Sequence, residues 1–390
     1  MKIIDDIRKL VSIESVRDVA SKRDGAPFGK GIDEAFQALL EISEKMGFRT
    51  VNMDGYVCYA EIGPKSDDYV GVLGHLDVVE AGGNWDTPPF ELTIKDNIMF
   101  GRGVNDDKGP LVGALYAAKR VYDSKMEMKY PIRVIAGGAE ETTWECMEHY
   151  FKTEAQPKYA FSPDGNFPIV NEEKGILQLN LTFNNMGAYE FNSETQRMYN
   201  CSKLVVNGTT YESNQTLSRN PHRSDHAYQK WLKTVKVNTP LVQFLRSLDP
   251  SKNDDISYCV MSINTEGDKH VVGLDVRYRK ASMLQEVLKD LNKYQYEITR
   301  HLKPLYVPED SKLIQSLKSA YETVMKEPAA VLTKGGASYA RVLTNGVAFG
   351  ATFEGENPKP HMPNENMPIA SLLKAIDIYE EALKHLVQDV

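Results

Sequence analysis

From residue 31 the apolar positions Ile32, Phe36, Leu39, Leu40 and Met46 recur at helical spacing, and Gly47 supplies a stop just past the last turn. Short β-type runs follow at 57–62, 69–79 and 92–100, the last broken by an Asp96-Asn97 turn. The pattern then predicts a helix over 110–122, a strand over 131–136, a helix over 143–151 and a strand over 159–161. Strand and helix alternate, as expected of a sheet covered by helices.

Near residue 175 that rhythm breaks. Between about 175 and 292 the chain is richer in Asn, Ser and Thr, and its apolar runs at 177–183, 204–206, 258–263 and 271–278 alternate with polar positions before a helix at 282–293. Helix and strand signals resume through 311–325, 346–349 and 369–386. The expected organisation is a split α/β catalytic domain, 1–175 and 296–390, interrupted by a small antiparallel α+β domain at 176–295. A length of 390 residues supports two domains rather than one core.

Composition narrows the partners. A net charge of −8 argues against nucleic acid, which demands clustered Lys and Arg. No run is apolar for long enough to cross a bilayer, and Asp5 and Asp6 interrupt any secretory signal. Cys58, Cys146, Cys201 and Cys259 are scattered, which excludes a Cys-based zinc site and suits a reducing compartment, so the cytoplasm is expected.

Five segments carry candidate chemistry. Leu73-Gly74-His75-Leu76-Asp77 ends an apolar strand in a His and an Asp two positions apart, so both emerge on one face. In Gly101-Arg102-Gly103-Val104-Asn105-Asp106-Asp107-Lys108-Gly109, glycines flank paired carboxylates, which repel phosphate and suit a cation. A nucleotide-binding reading of Gly101-x-Gly103 fails for lack of the third Gly. Glu140-Glu141 follows a strand, where one carboxylate can ligate a metal and the other serve the attacking water. Phe161-Ser162-Pro163-Asp164 ends another strand in a carboxylate, and a Pro-rich loop presents His361. Taken singly, each also reads as a surface turn, a helix cap or an acidic helix start. Together they change the odds, because four of the five lie at or just beyond a strand's C-terminal end, where open α/β sheets bind ligands.

The same motifs resemble the co-catalytic zinc metallopeptidase family of aminoacylase and carboxypeptidase G. The resemblance rests on Gly74-His75-Leu76-Asp77-Val78-Val79, on Gly101-Arg102-Gly103 with Asp106-Asp107-Lys108-Gly109-Pro110, and on Glu140-Glu141 with Trp144, Cys146 and Met147. Phe161-Ser162-Pro163-Asp164 leading to Glu173-Lys174-Gly175, Gly335-Gly336-Ala337-Ser338-Tyr339-Ala340-Arg341, and Phe353-Glu354-Gly355-Glu356 with His361 complete it. Residues 70–176 look most like the PepV-type Xaa-His dipeptidases.

The resemblance implies a phosphorylase/hydrolase-like catalytic domain with a mixed sheet and a ferredoxin-like lid. It also implies two divalent metals, zinc first, with manganese or cobalt as alternatives. His75 and Asp164 would hold one metal, Glu141 and His361 the other, and Asp106 would bridge them. Asp77 would hydrogen-bond the second nitrogen of His75, Glu140 would be general base and acid, and Arg341 would clamp a substrate carboxylate. A cis peptide would follow Asp106. The implied activity is dipeptide hydrolysis, with deacylation of N-acyl amino acids as the alternative and a catalytically silent binding protein as the rival of another class.

One departure concerns the lid. Gly208-Thr209-Thr210-Tyr211-Glu212-Ser213 stands where relatives carry a Gly-x-x-x-His element, and it has no His. His222 is the expected oxyanion stabiliser, against the reading of a solvated loop His. His149, His270, His301 and His385 read as surface or helix histidines. A lid shorter than the PepV type leads to the expectation of a homodimer through it.

Overall fold

The structure is a computed structural model that describes residues 1–184, 189–193, 201–206, 209–212, 240–247, 255–266 and 269–389. It divides into two compact units, residues 1–172 with 306–390, and 173–305.

The first unit is built on a mixed sheet. Its order is Arg49–Met53, Val57–Ile62, Ile132–Gly137, Val70–His75, Tyr159–Ser162, Gly346–Ala348, Ile169–Glu173 and Leu305–Tyr306, with Val331–Lys334 pairing Ile169–Glu173. The four strands from Ile132–Gly137 to Gly346–Ala348 run parallel. Every residue of Val70–His75 and of Ile132–Gly137 is buried, as expected of strands covered on both faces, with Arg133 held by ion pairs to Glu61 and Glu154. Parallel neighbours deliver all their C-terminal ends to one edge, so His75, the 138–141 turn and the 163–164 turn emerge together.

Amphipathic helices cover this sheet. Lys30–Lys45 buries Ile32, Ala35, Phe36, Leu39 and Ile42, the stripe its spacing predicts. Lys2–Val11 is a helix that sequence reasoning passed over; it buries Ile3, Ile4, Ile7, Leu10 and Val11. Lys108–Asp123, Lys312–Met325 and Ile369–Gln388 complete the layer.

A small antiparallel sheet orders Asn366–Pro368, Ile98–Phe100 and Thr93–Lys95, with Asp96 (φ 52°) and Asn97 (φ 60°) forming the expected turn. Its register pairs Asn366 with Phe100. That ties the end of the His361 loop to the start of the Asp106 loop.

The second unit runs strand Gly175–Asn184, helix Pro240–Ser247, strands Ile256–Glu266 and Lys269–Tyr278, helix Leu284–Leu291 and strand Gln295–Leu302. The strands order as second, third, first and fourth, all antiparallel, which is the ferredoxin-like arrangement. Gln295–Leu302 pairs with Gly175–Asn184, which carries this unit to Leu305 rather than the residue 295 suggested by the helix at 282–293. A three-stranded sheet of Tyr189–Ser193, Cys201–Val206 and Thr209–Glu212 is added to it. Leu177, Leu179, Leu181, Leu274 and Val276 fill its core, as the period-two pattern predicts.

One histidine corrects the sequence reading: His270 is fully buried on a strand. His301 lies on an exposed stretch of strand, a surface histidine as expected, with its Nε2 2.6 Å from the Tyr278 hydroxyl. His149 and His385 do lie on helices. Cys58, Cys146 and Cys259 are buried free thiols.

Candidate metal centre

His75 closes its strand with a buried side chain. Its Nδ1 lies 2.9 Å from the backbone carbonyl of Asp77 and donates there, which leaves Nε2 to face the Asp106 carboxylate. Nε2 lies 3.0 Å from Asp106 Oδ1. On the other side of the same carboxylate, His361 Nε2 lies 3.0 Å from Asp106 Oδ2 and 3.0 Å from Glu141 Oε1. One carboxylate therefore offers each of its oxygens to a different imidazole. Donor atoms of His75, Asp106 and Glu141 all fall within 4.8 Å of one another.

Asp164 and Glu140 join Asp106 and His361 on the wall of a cavity of about 340 Å³. Burial, and after it the charge of Asp106, pushes the Asp164 carboxyl up to about 6. Burial also holds Glu140 well above the usual carboxylate range, with His75 opposing and Asp164 and Glu141 reinforcing. Hydrogen bonds to Asp106 and Glu141 lift His361 to about 10. For Asp106, burial raises the pKa, but hydrogen bonds from His361 and His75 outweigh it and lower the net value.

Four carboxylates crowd against two imidazoles here. Buried like charges of that kind need cations. The donor set of imidazole nitrogens and carboxylate oxygens fits divalent metals such as zinc or manganese.

Asp77 is placed differently from expectation. Its carboxylate stands 3.6 Å from His75 Nδ1, too far for a hydrogen bond, while its carbonyl takes that role. The carboxylate instead accepts the backbone N–H of Glu140 at 3.1 Å and of Glu141 at 3.0 Å. Those amides lie in the turn beyond strand Ile132–Gly137, where no ladder partner meets them, and they draw the anion.

The Asp106 loop is held from below. Glu365 is fully buried and accepts the backbone N–H groups of Gly103 (3.0 Å), Asn105 (2.9 Å) and Asp106 (3.1 Å) together with Arg102 Nη1 (2.8 Å). The Asp106–Asp107 peptide is cis. Asp107 Oδ2 accepts the His75 backbone N–H at 3.2 Å, and a Cβ on Gly74 would come within 2.1 Å of that oxygen, so only glycine fits there. Lys108, also buried, donates to the carbonyls of Leu10 (3.0 Å) and Ile13 (2.8 Å), and burial pushes it down to about 7. His361 itself adopts φ 58°, uncommon for a non-glycine residue.

Sequence reasoning gave Glu365 no role, although it sits four residues after His361. Its partner Arg102 lies 263 residues away, and no local spacing signals such a pairing. Arg341 sits in the short helix Tyr339–Val342 and donates to the carbonyl of Gly336 at 3.1 Å. His222 lies outside the described residues.

Comparison with known proteins adds the following. Residues 71–385 match the model of peptidase family M20/M25/M40. "Putative dipeptidase YtjP" of Bacillus subtilis is 28% identical over 99% of this chain and 97% of its own length. "Putative dipeptidase SH1171" of Staphylococcus haemolyticus is 31% identical over 99% of this chain and 97% of its own. The fold resembles the metallo-carboxypeptidase Sso-CP2 of Sulfolobus solfataricus, with a TM-score of 0.66 and 18% identity over 98% of this chain and 99% of that one. It also resembles the aminoacylhistidine dipeptidase of Vibrio alginolyticus, with a TM-score of 0.66 and 12% identity over 98% and 96%.

Proposed function

Because this chain belongs to peptidase family M20/M25/M40, it is a peptidase, and we propose that it hydrolyses dipeptides with Glu140 as its general base. The observation that carries this reading is the Asp106 carboxylate, with His75 on one oxygen and His361 on the other, both at 3.0 Å. In the proposal His75 and Asp164 would hold one metal, Glu141 and His361 would hold a second, and Asp106 would serve both. Two such cations would polarise the scissile carbonyl and lower the pKa of a water. Zinc is the first choice for two imidazoles with carboxylates, manganese and cobalt being the alternatives.

Glu140 takes the proton of the attacking water and returns it to the departing amine. Asp77 fixes that carboxylate's position through the backbone of Glu140 and Glu141. Arg341 is the proposed partner of the substrate's carboxylate, a role suited to a planar guanidinium, and His222 the proposed oxyanion partner. The names of the two curated relatives support a dipeptide substrate.

Two further points belong to the same proposal. The free buried cysteines favour the cytoplasm, and among the described residues no helix is long and apolar enough to cross a membrane. A homodimer through the 173–305 unit is proposed, and a monomeric mass by light scattering would dismiss it.

The deciding experiment assays Glu140→Gln on dipeptides, with N-acyl amino acids alongside. Turnover should fall by about 10²–10⁴-fold while the metal content stays that of the wild type. Turnover of acyl substrates alone would replace the dipeptidase reading with a deacylase.

A further inference from the structure

Asn166 and Lys334 line the catalytic cavity and also a second, larger one of about 880 Å³. Phe167, Pro168, Val170, Met325, Leu332 and Phe353 contribute to its wall. The wall is stiff on one side. The Phe167 ring packs 4.7 Å from Phe353 and 5.8 Å from Tyr321, and Phe167 is itself 3% exposed. Thr333, Lys334 and Glu354 add polar groups to the wall, and Glu327 is engaged by the Tyr321 hydroxyl at 2.9 Å.

The catalytic cavity has apolar wall at Ala337, Pro358 and Pro360, but it is smaller and more heavily charged. Asp106, Glu140, Asp164, Lys334, Glu356 and His361 are all on its wall, within about 340 Å³. That space suits the polar backbone of a dipeptide and is hostile to a large apolar side chain, which would strip water from charged groups without replacing it. A bulky apolar side chain is better accommodated outside that charged wall. The two spaces adjoin at Asn166, two residues beyond Asp164, and at Lys334.

We propose that this second cavity is the pocket for one side chain of the substrate, and that the enzyme prefers dipeptides carrying a bulky apolar residue. The inference rests on the dipeptidase reading and adds a substrate class to it. A pocket of this size is within the range of small-molecule sites, and its aromatic wall pairs well with Phe or Leu.

The test measures kcat/KM of the metal-loaded enzyme on Gly-Gly, Gly-Leu, Gly-Phe, Leu-Gly and Phe-Gly. Wild-type enzyme, Ala330→Trp and Met325→Trp are compared; Ala330 is an exposed residue of the cavity wall, so its replacement spares the core. Circular dichroism and metal content verify that each variant is folded and loaded. The wild type should favour the better Leu or Phe substrate over Gly-Gly by about tenfold or more. Filling the cavity should shrink that ratio about tenfold, chiefly through KM. A wild type without the preference, or variants that both keep it, would overturn the pocket and leave the dipeptidase reading intact. A fully loaded wild type that cleaves none of the five would remove that reading and the pocket with it.

Discussion

The edge of the first unit's sheet and the core of the second unit use burial for opposite ends. In the second unit Leu177, Leu179, Leu181, Leu274 and Val276 are buried in alternation along two paired strands, so each apolar side chain lowers the free energy of folding. At the catalytic edge the buried side chains are His75, Asp77, Arg102, Asp107, Lys108 and Glu365. Burying those groups costs free energy unless each finds partners, and the structure supplies them across 32, 63 and 263 residues of sequence. One region is organised by what it keeps from water. The other is organised by where a few charges must stand.

That contrast can be broken experimentally, beginning where the effect should be greatest. Glu365→Gln leaves Arg102 buried without its counter-charge and weakens the clamp on the Asp106 loop. It should cost about 3–5 kcal/mol in chemical denaturation and, in the surviving folded fraction, weaken metal retention against a chelator by about 10–100-fold. Loss of stability with unchanged metal affinity would make Glu365 a purely structural residue.

Leu179→Ala probes the other region. Removing a side chain that is 1% exposed should destabilise the protein by about 2–5 kcal/mol, read as a lower denaturation midpoint, while kcat per folded molecule stays within about twofold. A large fall in kcat would show that the two regions do not divide labour in this way. Arg120→Ala, which removes exposed ion pairs to Asp377 (2.8 Å) and Glu380 (3.4 Å), sets the baseline: about 1 kcal/mol or less in the same assay.

The two regions also differed in how far the sequence disclosed them. Period-two runs at 177–183 and 271–278 announced strands, yet alternation says nothing about neighbours, so the second-third-first-fourth order and the final strand Gln295–Leu302 were beyond reach. His270 was misread because polar side chains buried on strands interrupt the pattern without signalling where they point. At the catalytic edge the motifs around His75, Asp106, Glu140-Glu141, Asp164 and His361 were conspicuous, since each occupies a turn or loop bounded by Gly, Pro or a strand end. Their supports were not. Asp77 was noticed beside His75, but the pull of two unpaired amides 63 residues on decided what its carboxylate binds. Helix Lys2–Val11 carried a readable stripe of Ile3, Ile4, Ile7, Leu10 and Val11.

The most direct measurement is anomalous X-ray scattering from crystals of the purified enzyme, paired with elemental analysis of wild type and Asp106→Ala. Two metal peaks per chain should flank the Asp106 carboxylate, one beside His75 and one beside His361, and Asp106→Ala should lose at least one metal per chain. A wild type with a single peak, or with none at Asp106, would contradict the shared-carboxylate centre on which the hydrolytic reading depends.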